Sequence, residues 1–283
     1  MKLPFDIDLK GKTVVVTGGG GVLCGAFAEA LGKCNANIAI LDLNPKAAQK
    51  VADEINKNGG NAKGYETNVL QKASIEAARE KILADFSTCD ILINGAGGNN
   101  ARANTTNDYF DKADMAKEDV KTFFDLDPEG VEFVFNLNFL GTLLPTQVFA
   151  KDMVEKEDAS IINISSMNSF TPLTRIPAYS GAKAAISNFT QWLAVHFSKT
   201  NIRVNAIAPG FFLTNQNRAL LIDGNGNYTA RSQKILSQTP MDRFGSPDEL
   251  IGTLLFLISK EASGFVNGVV IPVDGGFSAY SGV

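Results

Sequence analysis

Short apolar runs rich in β-branched residues recur along the chain, with helical signals between most of them. Residues 13–17 (TVVVT), 37–42 (NIAILD), 89–93 (CDILI), 160–164 (SIINI), 202–208 (IRVNAIA) and 269–273 read as strands buried on both faces. Helical patterns occupy 26–31, the stretch after Asn44-Pro45, 72–86 and 179–199, and two helices flank the 160–164 strand. Strands alternating with helices can bury their apolar sides in one economical way. They form a doubly wound α/β structure, a parallel sheet with helices on both faces. No repeat, linker or low-complexity tract divides the 283 residues, so a single domain over 1–283 is expected.

Local chemistry supports the boundaries. Asn44 reads as an N-cap with Pro45 at the first helical position, and Gly59-Gly60 closes that helix. Ser246-Pro247-Asp248-Glu249 is a capping box that opens the last helix. Two segments, 99–127 and 211–245, are long for connections and read as functional loops, the second with a turn at IDGNGN. Ligands of such sheets lie beyond the carboxyl ends of the strands, which directs attention to 17–25, 94–104, 164–178 and 209–245.

Composition removes several function classes. Twenty-six basic and 30 acidic residues leave a net charge of −4, which argues against a nucleic-acid footprint. No uninterrupted apolar run reaches the ~18 residues of a membrane span, and MKLPFDIDLKGK carries acids where a secretion signal would be apolar. Three cysteines without a CxxC suit a reducing cytoplasm and argue against a disulfide framework or a zinc site. The one histidine, His196, sits far along a helix from the other candidate groups and reads as a packing residue; no metal site is expected.

Four features carry chemistry. TGGGGVLCG (17–25) places glycines where a strand turns into a helix, as a pyrophosphate requires, although GxGxxG spacing fails and a plain flexible turn would look similar. Asp42 ends the second strand; it can accept both ribose hydroxyls of NAD and repel the extra phosphate of NADP, or it can serve only as a helix cap. Tyr179 and Lys183 stand at i and i+4 on one helical face, where an ammonium would favour the phenolate. Ser166 ends the preceding strand on the same sheet edge, thirteen residues before Tyr179.

Taken in order, these motifs resemble the short-chain dehydrogenase/reductase family across about residues 8–278. The matching elements are the glycine turn, NGAG (94–97), Asn138 in NFLG, Ser166, Tyr179, Lys183, Pro209-Gly210 and VDGG (273–276). The resemblance implies a Rossmann-type doubly wound parallel sheet that uses NAD, with NADP less favoured. It implies a catalytic tetrad. Tyr179 exchanges the proton, and Lys183 lowers its pKa and holds the nicotinamide ribose. Ser166 binds the carbonyl, and Asn138 supports a water-mediated proton path. It further implies cofactor contacts at Gly18, Gly21, Val22, Leu23, Asp42, Asn68, Val69, Asn94, Ala96, Gly97, Tyr179, Lys183, Pro209, Gly210 and Phe212, and a homotetramer. Val22 and Cys24 stand where the family's second and third glycines belong, and Asn68 where it usually has Asp.

Segments such as FFDLD, GTLLPTQVFAKDM and APGFFLTNQNR resemble the D-mannonate oxidoreductase (fructuronate reductase) branch, which interconverts D-fructuronate and D-mannonate. Gluconate 5-dehydrogenases are near neighbours, and a catalytically silent NAD-binding sensor on the same fold is the alternative from another class. The loops themselves suit a small polyhydroxylated acid. They are rich in amides (Asn99, Asn100, Asn104, Asn168, Asn215, Gln216 and Asn217), and Arg102, Arg175 and Arg218 could grip a carboxylate. Arg175 leads because it lies between Ser166 and Tyr179. Ser166, Asn168, Arg175, Tyr179 and Phe211 are therefore the expected substrate contacts. The apolar tail, with Phe277 and Tyr280, is expected to pack against something.

Overall fold

In a computed structural model that describes residues 5–214 and 217–282, seven parallel strands form one sheet in the order β3-β2-β1-β4-β5-β6-β7. The strands are β1 (Thr13–Thr17), β2 (Asn37–Asp42), β3 (Asn61–Glu66), β4 (Ile91–Asn94), β5 (Ala159–Ile164), β6 (Ile202–Pro209) and β7 (Val270–Val273). The order reverses between β1 and β4, which is the switch point of a Rossmann-type doubly wound sheet.

Alternation along each strand sorts the side chains between the two faces. Val14 and Val16 pack with Ile38, Ile40 and Ile93 against α1 (Val22–Lys33), α2 (Pro45–Lys57) and the later α9 (Ile251–Ile258). Val15 packs with Leu41, Leu92 and Ile161 on the opposite side, under α3 (Lys72–Asp85), α5 (Gly141–Met153) and α6 (Pro177–His196). Asn44 caps α2 by accepting from Lys46 and Ala47 N–H groups, and Ser246 with Glu249 forms the capping box before α9.

Three elements differ from the sequence reading. β3 (NAKGYE) is a further strand; it buries only Ala62 and Tyr65, so no apolar run announces it. Pairing with β2, Asn37 opposite Asn61 through Asp42 opposite Glu66, creates it. The 99–127 connection contains three short 3-10 turns, at Ala101–Ala103, Lys112–Ala116 and Phe123–Asp125. The 211–245 segment holds α7 (Arg218–Leu221) and α8 (Ala230–Leu236) around the expected turn, where the Asp223 carboxylate accepts from the Asn225 and Asn227 N–H groups.

Between α4 (Pro128–Phe135) and α5 the helix widens into a π turn at Asn136–Leu140. The whole rod, Pro128–Met153, is long and apolar enough to cross a bilayer by length and composition, yet it is half buried and packs against α6 and the sheet.

Candidate active site

The loops after β1, β4, β5 and β6 meet at the carboxyl end of the sheet. Gly18 has φ +64, and a Cβ there would come within 2.9 Å of the Ala96 backbone, so only glycine lets the two loops touch. Thr17 Oγ1 joins them by accepting from the N–H groups of Gly95 (3.1 Å) and Ala96 (3.2 Å). No side chain caps α1 at Gly21 and no acid lies in its first turn. Its first N–H groups, from Val22 onward, are therefore suited to an anion.

The family departures at Val22 and Cys24 have a local explanation. Val22 is the first residue of α1 and Leu23 packs toward the core. Cys24 is buried, and a Cβ on Gly95 would collide with its Sγ. Cys24 thus occupies space that Gly95 vacates. Burial pushes the Cys24 thiol up to about 12, against an opposing influence from Lys183.

Asp42 accepts from Gly20 N–H (3.0 Å) through one oxygen and from Asn44 N–H (2.9 Å) through the other. It fastens the glycine turn to the end of β2, while Asn44, not Asp42, caps α2. Asn68 accepts from Leu70 N–H (3.0 Å), and Val69 is buried against Gly141.

Asn138 is fully buried in the π turn. Its amide donates to the carbonyls of Gly98 and Val134, both at 2.7 Å, and its oxygen accepts from Gly98 N–H at 3.3 Å. A widened turn leaves carbonyls for side chains to satisfy, and here the side chain also holds the 95–98 turn. A Cβ on Gly97 would lie 2.6 Å from Asn138 Oδ1 and 3.3 Å from Lys183 Nζ, so these groups meet beneath that glycine.

Ser166 is buried two residues beyond the end of β5, beside the Tyr179 phenol, and its Oγ accepts from Asn168 N–H (3.2 Å). Lys183 is buried one turn along α6; its ammonium donates to Ile164 O (2.8 Å) and lies 5.6 Å from the centre of the Tyr179 ring. Burial lowers the Lys183 pKa to about 8. Burial raises that of Tyr179 above the usual phenol value, with the Ser166 hydrogen bond opposing. Desolvation is the larger influence on both groups, acting in opposite directions.

Other expected contacts fall elsewhere. Asn94 is 1% exposed, and its amide donates to Thr146 on α5 and Asn163 on β5, so its side chain ties β4 to its neighbours rather than facing a ligand. The Phe212 ring is buried against Gly245 in the core. Pro209 ends β6, and Gly210 N–H donates to Val273 O (3.0 Å). Phe211 packs edge-on against Phe277 (5.4 Å), so the tail covers its own chain there. Asn99, Asn100, Asn104 and Asn217 are spent on bonds within their loops. Asn215 and Gln216 lie outside the described residues. Asn168 differs: it is buried beside Ser166, and its Oδ1 has no partner among the described residues.

Of the arginines, Arg102 is committed to Asp127 and Glu129, and Arg218 opens α7 at the surface. Arg175 Nε donates to Asp108 (2.8 Å), while its terminal nitrogens make no hydrogen bond among the described residues. His196 stacks on Trp192 with ring centres 4.7 Å apart, away from the tetrad. Thr17, Gly95 and Asp108 are the contributors that sequence reasoning missed. The TG and NGAG motifs contained the first two, but nothing in sequence points from Asp108 to partners more than 60 residues away.

Residues 12–223 match the family profile described as short chain dehydrogenase. An uncharacterised oxidoreductase of Haemophilus influenzae is 64% identical over 283 residues, covering 100% of this chain and 99% of the relative. A 2-dehydro-3-deoxy-D-gluconate 5-dehydrogenase of Formosa agariphila is 34% identical, with 97% and 96% covered. Among solved structures, a protein from Haemophilus influenza with bound NAD, provisionally designated a D-mannonate oxidoreductase, superimposes with a TM-score of 0.94 at 63% identity, covering 100% of both chains.

Proposed function

Because this chain belongs to the short-chain dehydrogenases, we propose that it is an NAD-dependent oxidoreductase of sugar acids, interconverting D-fructuronate and D-mannonate. The observation that carries the reading is the half-buried Tyr179 phenol one helical turn before the buried Lys183 ammonium, with Ser166 beside the phenol. A sensor that only bound a dinucleotide would have no use for that arrangement. The name given to the 63%-identical structure and its bound NAD support the substrate and the cofactor.

The residues fit NAD. The uncapped start of α1 suits the pyrophosphate and Asp42 suits the adenosine ribose, while Gly97 leaves an open surface above Asn138 and Lys183. When bound as NADH, the cofactor supplies the hydride that reduces the ketone. Ser166 holds the ketone oxygen beside the phenol, and Tyr179 donates the proton that completes the alcohol. Lys183, protonated below about pH 8, stabilises the phenolate left behind. Asn138 keeps the 95–98 turn in place. The unpaired Oδ1 of Asn168 accepts from a substrate hydroxyl, and Arg175 offers its terminal nitrogens to the carboxylate.

Two properties accompany this reading. The three unpaired thiols suit a reducing cytoplasm. The exposed Phe133, Phe135, Leu140, Trp192 and Val195 on the α4–α5 rod and α6 support a homotetramer.

The test is NADH oxidation with D-fructuronate beside 5-ketogluconate, in the wild type and in Tyr179→Phe. D-fructuronate should be the better substrate and the variant should lose most turnover. A preference for 5-ketogluconate would move the assignment to the gluconate 5-dehydrogenase branch. Inactivity on both, with NAD still bound, would favour the sensor.

A further inference from the structure

Three neighbouring strands, β4, β5 and β6, send their carboxyl-end loops to one carboxylate. Asp108 comes from the 99–127 segment. Its Oδ1 accepts from Thr174 Oγ1 and Arg175 Nε, both at 2.8 Å, on the loop between Ser166 and Tyr179. Its Oδ2 accepts from Lys234 Nζ on α8. Thr105 N–H adds a backbone bond to Arg175 O at 2.9 Å. The Asp108 side chain is only 15% exposed, against 55% for Arg175 and 64% for Lys234. Ile235 and Leu236, next to Lys234, are buried with Phe244, so α8 is anchored at its base, and the Lys234 bond tethers its outer side.

We propose that Asp108 is a positioning residue that clasps α8 to the loop preceding α6 and aims Arg175 at the substrate. An isolated exposed ion pair would contribute little. Here one shielded carboxylate serves donors from two distant segments, and without it two cations would face each other. The donors hold its pKa well below the usual carboxylate range, so the clasp stays charged at physiological pH. Two cations against one anion leave the cluster with one net positive charge. Binding through Nε fixes the guanidinium plane and leaves the terminal nitrogens for a second carboxylate. That ligand assignment rests on the sugar-acid reading; the clasp does not.

The experiment compares wild type, Asp108→Asn, Asp108→Glu and Lys234→Met. Amide hydrogen exchange across 230–236 should accelerate in Asp108→Asn and Lys234→Met. The KM for D-fructuronate should rise roughly tenfold in Asp108→Asn, with a much smaller change in kcat, and Asp108→Glu should recover part of both effects. Unchanged exchange in both Asp108→Asn and Lys234→Met would overturn the proposal, as would a wild-type KM in Asp108→Asn. If wild-type protein reduced an uncharged ketose and no sugar acid, the substrate reading would fall, and the exchange measurement alone would decide the clasp.

Discussion

Burial acts on Tyr179 and Lys183 in opposite directions: it holds the proton on the phenol and loosens it on the ammonium. In the reducing direction, Tyr179 therefore keeps the proton it must donate well into alkaline solution. Lys183 loses its charge as pH rises through about 8. kcat/KM for ketone reduction should fall above that pH because the neutral amine no longer stabilises the developing phenolate. Lys183→Arg should work more slowly but lack that alkaline limb, since guanidinium stays charged. An identical limb in the arginine variant would assign it to another group. At Asp42, the carboxylate would meet the 2′-phosphate of NADP with like charge. NAD should thus be preferred, and Asp42→Ala should shrink the ratio of catalytic efficiencies by about tenfold or more, the scale of one charge-assisted contact. A wild-type preference for NADP would refute this. The alanine variant also frees Gly20 and Asn44 N–H groups, so its NAD affinity should fall as well.

At the scale of elements, the start of α1 and the turn after β4 have to be read together. Cys24 fills the space beneath Gly95, and the family's expected glycine at one position is exchanged for a glycine at the other. Gly95→Ala should cost about 1–3 kcal/mol through overpacking. At ~2–4 °C per kcal/mol for a chain of this order, the melting temperature should drop by several degrees. Cys24→Ala removes the sulfur and leaves that Cβ at an ordinary 3.5 Å from the new methyl group. The double variant should therefore recover part of the loss; the Thr17 carbonyl, 2.9 Å away, limits the recovery. Additive losses in the thermal melts would mean that the two residues do not share this space.

For the whole molecule, an apolar surface suited to the proposed assembly is the face of the α4–α5 rod and α6, where Trp192 is 56% exposed and Val195 is 74% exposed. Phe277, from the tail expected to serve that purpose, already packs on Phe211. Light scattering at micromolar concentration should give about four times the 30.2 kDa chain mass. Trp192→Glu should shift the population to smaller species by placing a charge in the proposed interface. A monomer in wild type would refute the tetramer, and a Trp192→Glu protein of unchanged mass would move the interface elsewhere.

What the sequence alone determined was whatever depends on local pattern. Six strands were legible through their apolar runs; five are buried on both faces, while β7, expected to be buried likewise, is only half-buried because it forms the edge of the sheet. The caps at Asn44 and Ser246 were legible too, because side-chain caps are short-range. The order of Asn138, Ser166, Tyr179 and Lys183 was legible because those residues lie on successive elements of one winding. Tertiary structure decided the rest. β3 exists through pairing, not composition. Asn94 turned inward, where packing brought hydroxyl and amide acceptors from α5 and β5 to its side chain. Desolvation, which no sequence displays, set the proton affinities of Tyr179 and Lys183. Asp108 gained its meaning only when chain folding brought Arg175 and Lys234, 67 and 126 residues away, to the same carboxylate.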